Sequence, residues 1–296
     1  MRSMLAEVNG VKLAFSDSGS GDAVVLLVHG FPLNRSMWEP QLGALRSVCR
    51  VIAPDVRGFG ASAAGPPGPL TMEQHADDLA ALLDVLDVRE PVIFCGLSMG
   101  GYIGFAMWRR HRQRIRAFVL ADTRATPDTP EGRAGRFAMA ERAESLRSSA
   151  SAVEAMMPRM FSPTLRPGTP QEVLVRAMMT STSARAVADG ARGLAARPDS
   201  LELLETIDMP TLLIVGEHDQ LTPPTDSEAM LARLPNARLE RIDMAGHMSN
   251  LENPVQFNDV LLEFVRRLAP PGHVPSVEPQ HPPRAPTGPP GRPPTP

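Results

Sequence analysis

The sequence predicts an α/β fold: a mostly parallel, eight-stranded twisted sheet with helices on both faces and a helical insertion. Three observations carry that expectation. Short apolar runs bounded by turn residues alternate with stretches of helical periodicity, as parallel strands buried on both faces do. The alternation stops at residue 123 and resumes at 207, and the interval shows helical periods but no convincing strand. Ahead of that interval lies Val92–Gly101, an apolar run ending in Gly96-Leu97-Ser98-Met99-Gly100, followed at once by a helical pattern to about His111.

Taken in order, residues 4–8 and 11–15 read as two strands joined by Asn9-Gly10, a strong hairpin signal. Residues 23–28 form a continuous apolar run fit for a central strand, followed by His29-Gly30-Phe31-Pro32. A helix is expected from Ser36, as its N-cap, to Ser47. Val51–Ala53 is another buried strand, leading into Asp55-Val56-Arg57-Gly58-Phe59-Gly60-Ala61-Ser62. That stretch lacks the glycine-lysine arrangement of a phosphate loop, so it reads as a structural turn with Arg57 held by carboxylates. Thr71, with Gln74 three residues on, should cap a helix. Further strands are expected at 117–121, 211–215 and 238–242, and further helices near 225–233 and from Pro254 to Leu268. Residues 1–122 and 207–268 then form one core, 123–206 a helical cap, and 269–296, nearly half proline, a disordered tail.

In a parallel sheet, functional groups collect at the carboxyl ends of the strands. Strand, sharp turn and helix make Ser98 the nucleophile of an elbow. A serine hydroxyl needs a base, and His247 is the one histidine of seven that lies in a loop directly after the last strand. Asp219, in Gly216-Glu217-His218-Asp219, is the favoured acid to orient it, with Glu217 and Asp122 as competitors. An oxyanion formed at Ser98 needs fixed donors. The backbone N–H groups of Met99 and of Phe31, in the His29 loop, are the candidates. Gly30, Phe31, Trp38 and Met99 are expected to line the substrate site.

These motifs, together with Gly246-His247, resemble the α/β-hydrolase superfamily over residues 5–268, the 123–206 interval matching its variable cap only in position and helical character. The Gly-Leu-Ser-Met-Gly-Gly elbow and His-Gly-Phe loop are similar to small carboxylesterases and 3-oxoadipate enol-lactonases. The resemblance implies an α/β-hydrolase fold with Ser98 as nucleophile, Asp219 as acid and His247 as base, and no metal or cofactor. It disfavours dehalogenase and epoxide hydrolase activity, which use aspartate where this chain has Ser98. A small, mostly apolar ester or lactone is the expected substrate. Cap arginines Arg124, Arg133 and Arg136 are candidates to meet a carboxylate instead. Perhydrolysis of the cofactor-free haloperoxidase type, carbon–carbon bond hydrolysis and acyl transfer are the alternatives within the same triad, and a ligand-binding role without catalysis is the alternative outside it.

Composition sets the outer limits. The 296 residues are 43% apolar with a net charge of −3, which suits a globular protein and gives no pull towards nucleic acid or anionic membrane. Cys49 and Cys95 each sit at a strand edge and read as reduced core residues. With no leader and no apolar run near the ~20 residues a bilayer demands, the expected setting is cytoplasmic, as a monomer or small homo-oligomer.

Overall fold

A computed structural model describes residues 3–268 except residue 22. Strands β1 (Met4–Val8) and β2 (Val11–Asp17) form the expected hairpin, with Asn9 and Gly10 at φ 44° and 74°. Positive φ at both positions is what a two-residue type I′ turn requires. β3 (Val24–Val28) follows, then α1 (Glu39–Leu45), β4 (Arg50–Pro54), α2 (Met72–Val85), β5 (Val92–Leu97), α3 (Met99–His111) and β6 (Ile115–Ala121). Five helices succeed one another next: α4 (Pro130–Leu146), α5 (Ala150–Met156), α6 (Pro170–Ser181), α7 (Ala184–Ala195) and α8 (Leu201–Leu204). The chain then returns to β7 (Thr211–Gly216), α9 (Pro224–Leu231), β8 (Ala237–Ile242), α10 (Ser249–Glu252) and α11 (Pro254–Leu268).

The strands make one eight-stranded sheet in the order β1-β2-β4-β3-β5-β6-β7-β8. β2 pairs antiparallel with both β1 and β4, and all pairings from β4 to β8 are parallel. Every residue of β5 is buried, as is every residue of β7. Burial on both faces explains why these strands read as unbroken apolar runs rather than as alternation.

Local chemistry sets the helix starts. The Thr71 hydroxyl accepts the Gln74 N–H at 3.1 Å and caps α2 as expected. Ser36 does not cap a helix. A 3₁₀ turn over Arg35–Trp38 comes first, capped by the Asn34 side chain, which accepts the Ser36 N–H at 3.0 Å. The α-helix begins only at Glu39, with Pro40 in its first turn, where a missing N–H costs nothing.

Helices α4–α8 arise between β6 and β7, and α4 packs on α7. Contact with the sheet's loops is close: Thr182 Oγ1 donates to the Pro32 carbonyl at 2.9 Å, and Gly190 sits against the rings of Phe31 and Phe59. Both cysteines are free and buried. Among the described residues no helix is long and apolar enough to cross a membrane. The proline-rich segment 269–296, expected to be disordered, lies outside the described residues.

Candidate active site

Five loops leave the carboxyl ends of β3, β5, β6, β7 and β8, and they carry Gly30, Ser98, Asp122, Asp219 and His247 respectively. Ser98 stands between β5 and α3 at φ 55°, ψ −114°, a conformation that costs free energy for a side-chain residue. Neighbouring groups hold it there. The Ser98 N–H donates to the Ala121 carbonyl at 2.9 Å, and Thr123 Oγ1 donates to the Ser98 carbonyl at 2.8 Å. A Cβ on Gly96 would collide with the backbone of Gly100, and one on Gly100 with the Val28 carbonyl. Two glycines are therefore needed for the turn to close.

The structure brings Asp219 to His247 and keeps Asp122 away. His247 Nδ1 donates to Asp219 Oδ2 at 2.8 Å, both side chains being almost fully buried. Thr222 Oγ1 also donates to Oδ2 at 2.7 Å, while Oδ1 accepts the N–H groups of Leu221 (2.8 Å) and Thr222 (3.0 Å). Burial alone would raise the Asp219 carboxyl, but the charge and hydrogen bond of His247 and the Thr222 donors outweigh it and hold the group below the usual range. An ionised carboxylate at Nδ1 keeps the proton there and leaves Nε2 free as the basic nitrogen. Asp122 instead accepts the Gly216 N–H at 2.8 Å and pairs with the Ser249 hydroxyl. Burial, reinforced by the nearby Asp219, pushes its carboxyl well above the ordinary value. Glu217 accepts the Met244 N–H at 3.1 Å from an exposed position.

The β3 loop is fixed by His29. Val56 N–H donates to its Nε2 at 3.0 Å, so the proton sits on Nδ1, which donates to the Gly30 carbonyl at 2.9 Å. Burial lowers the imidazole and keeps it neutral. Gly30 lies against Ser98, within 3.4 Å of where a Gly30 Cβ would stand. The N–H groups of Phe31 and Met99 donate to no backbone acceptor among the described residues. Arg57 is held by a carboxylate as expected, the partner being buried Asp78 at 2.6 Å.

Ser98 and His247 line one cavity of about 380 Å³. Its wall differs from a mostly apolar expectation: Arg124, Arg136 and Arg159 line it, with Asp128 as the one acid. Asp128 bonds Arg124 (3.0 Å), Arg136 (3.3 Å) and Arg197 (2.8 Å), and buried Arg124 Nε has no acceptor. Arg133 is not on this wall, for it donates to the Ala195 carbonyl at 2.8 Å. Trp38 is not there either. It is fully buried under α11, its ring 6.3 Å from that of Phe257. Phe31 lies behind the wall, beneath the Arg136 guanidinium at 6.0 Å. Of the insertion's methionines, Met139 and Met156 line the cavity, whereas Met178 and Met179 fill the helix packing. Thr222, Arg159, Tyr102 and Asp128 are among the cavity residues the sequence did not single out, since each reaches this wall only through the fold. A wider cleft of about 870 Å³ near α2 has no nucleophile on its wall, and ion pairs such as Arg57–Asp78 and Arg114–Asp84 occupy its charges.

A family profile described as alpha/beta hydrolase fold matches residues 23–254. A thermophilic esterase from Thermogutta terrifontis, solved with malate bound, is 40% identical and superposes with a TM-score of 0.84, covering 90% of this chain and 99% of that one. The 3-oxoadipate enol-lactonase 1 of Acinetobacter baylyi is 30% identical over 90% of this chain and 97% of its own length. The enol-lactonase of Burkholderia xenovorans is 31% identical with a TM-score of 0.81, covering 89% and 100%.

Proposed function

This chain belongs to the α/β-hydrolase family, whose esterase and enol-lactonase members it resembles over nearly their full lengths, and we propose that it is a serine hydrolase working through an acyl-enzyme. The observation that carries the reading is the Asp219–His247 hydrogen bond of 2.8 Å beside a cavity that Ser98 also lines. Residues 123–206 are read as the cap over a core formed by 1–122 and 207–268, and the cap supplies most of the cavity's charged wall.

In this mechanism His247 Nε2 takes the Ser98 hydroxyl proton as Oγ attacks the substrate carbonyl carbon. The carbonyl oxygen becomes an anion received by the N–H groups of Phe31 and Met99, where loss of one such donor typically costs ~10²–10³ in rate. Collapse of the tetrahedral adduct breaks the ester C–O bond, and the leaving oxygen takes the proton from His247. Water then attacks the Ser98 ester, giving up a proton to His247, and the acid departs as Ser98 Oγ recovers that proton. Asp219 stabilises the imidazolium at each stage.

The substrate class follows from the wall. Three arginines against one acid favour an ester or lactone whose remaining part carries a carboxylate, and the malate in the Thermogutta esterase supports the same reading. A fluorophosphonate probe should label the wild type and leave Ser98→Ala unlabelled. Labelling of Ser98→Ala at the wild-type rate would remove Ser98 from its role.

A further inference from the structure

Glu252 ends α10, five residues after His247, and it bridges two parts of the chain. Its Oε1 accepts the Gly246 N–H at 2.7 Å, and its Oε2 accepts the Ser162 N–H at 2.9 Å. A third bond runs across the same boundary: the Met248 N–H donates to the Met160 carbonyl at 3.0 Å. The residues on either side of His247 are thus both tied to segment 160–162, between α5 and α6. Gly246 approaches that segment so closely that a Cβ would collide with the Phe161–Ser162 peptide. Asp219 fixes one nitrogen of the ring, and this clamp fixes the backbone from which the ring projects.

We propose that Glu252 is a positioning residue for His247, clamping segment 160–162 onto the histidine loop. The proposal rests on His247 being the base. The chemistry of the bridge makes it depend on ionisation. A carboxylate offers a strong acceptor oxygen to each amide, whereas a carboxylic acid leaves one N–H only a weak hydroxyl acceptor and a side-chain amide presents hydrogens to it. Burial raises the Glu252 carboxyl to about 7, the nearby Asp219 adds to this, and the Ser162 and Gly246 amides and His218 oppose it. Asp219 and His218 belong to the loop after β7, the Glu252 charge also reaches buried Asp122 after β6, and Met160, Phe161 and Ser162 bring no charge. The folded value lies above the ordinary 4.5, so the stability Glu252 contributes is full below that value and is lost as pH rises through about 7. The clamp closes over the same interval. Activity and stability therefore run in opposite directions with pH, which a purely structural carboxylate would not produce.

Glu252→Gln mimics the protonated state and should stay folded, at least as stable as wild type above neutral pH. Its kcat should fall about tenfold there, the effect of misplacing one catalytic group by a lost bond, with KM changed less than about twofold. In the wild type log kcat/KM should fall on the acid side through a step near pH 7, where Glu252 takes up its proton. In Glu252→Gln that step should be absent. The Gly246 and Ser162 amide resonances should also titrate together in the wild type and not in the variant. A step near pH 7 that persists in Glu252→Gln, an unchanged kcat in that variant, or amides that ignore pH overturns the proposal. Failure of the probe to label Ser98 would overturn the hydrolase reading instead, and the amide titration would still report on the clamp alone.

Discussion

Exchanging each candidate acid for its amide separates Asp219 from Asp122. In Asp219→Asn the amide nitrogen faces His247 Nδ1 at the 2.8 Å now held by a carboxylate oxygen, and it can only donate. The imidazole must then carry its proton on Nε2, the nitrogen needed to receive the Ser98 proton. The equivalent change in a serine protease triad lowers kcat about 10⁴-fold, so a loss of ~10³–10⁴, or about 4–5.5 kcal/mol of transition-state stabilisation, is expected. Asp122→Asn should behave differently. Its carbonyl oxygen can still accept the Gly216 N–H, its amide nitrogen can donate to Ser249 Oγ, and a neutral side chain suits a site whose burial disfavours charge. Because burial lifts the Asp122 carboxyl above its ordinary 3.8, its contribution to stability is present below that value and is lost as pH rises through the folded one. Asp122→Asn should therefore gain stability relative to wild type as pH rises, with kcat within about threefold. Steady-state ester hydrolysis and urea unfolding at two pH values measure both. A 10³-fold loss in Asp122→Asn with a minor one in Asp219→Asn would refute the reasoning.

Other expectations follow from buried charge and from the cavity wall. Asp128 faces Arg197 with each side chain only 4% exposed, so Asp128→Ala should cost about 3–5 kcal/mol in urea unfolding by stranding the arginines. Burial opposes the Asp128 charge, but the Arg197 and Arg136 partners hold its carboxyl at about 2, so this contribution is present above pH ~4 and disappears only as pH falls towards 2. Exposed Arg159 pairs with no carboxylate among the described residues, and Arg159→Gln should raise KM about tenfold for carboxylate-bearing esters and leave neutral esters unchanged. Burial pushes the Cys49 thiol up to about 12 and Cys95 higher still, so neither should react with a thiol reagent until the protein unfolds, as absorbance can follow.

How much the sequence disclosed depended on how local each feature is. The elbow is written in consecutive residues: an apolar strand, Gly96 and Gly100 around Ser98, and a helix, so its geometry could be read directly. The Asp219–His247 pairing was legible because each residue follows a strand in a fixed order, although no local pattern marked Thr222, which completes the hydrogen bonds of Asp219. Trp38 shows the limit. It stands seven residues from Phe31, yet its direction is set by α11, more than two hundred residues away, and it packs on Phe257 instead of the cavity. The Glu252 bridge and the Asp122–Ser249 pair likewise join residues 90 and 127 positions apart, distances over which local patterns carry no signal. Ser36 fails for a smaller reason: Asn34 caps an earlier 3₁₀ turn by accepting the Ser36 N–H, and Pro40 moves the α-helix start.

The central claim is that Ser98 carries the acyl group during turnover. Rapid acid quench of the wild type with a p-nitrophenyl ester, followed by peptide mass mapping, tests it directly. An adduct of the acyl mass on the peptide containing Ser98, absent from Ser98→Ala, is the predicted result. Turnover at the normal rate with the acyl group found on another residue, or with hydrolysis persisting in Ser98→Ala, contradicts it.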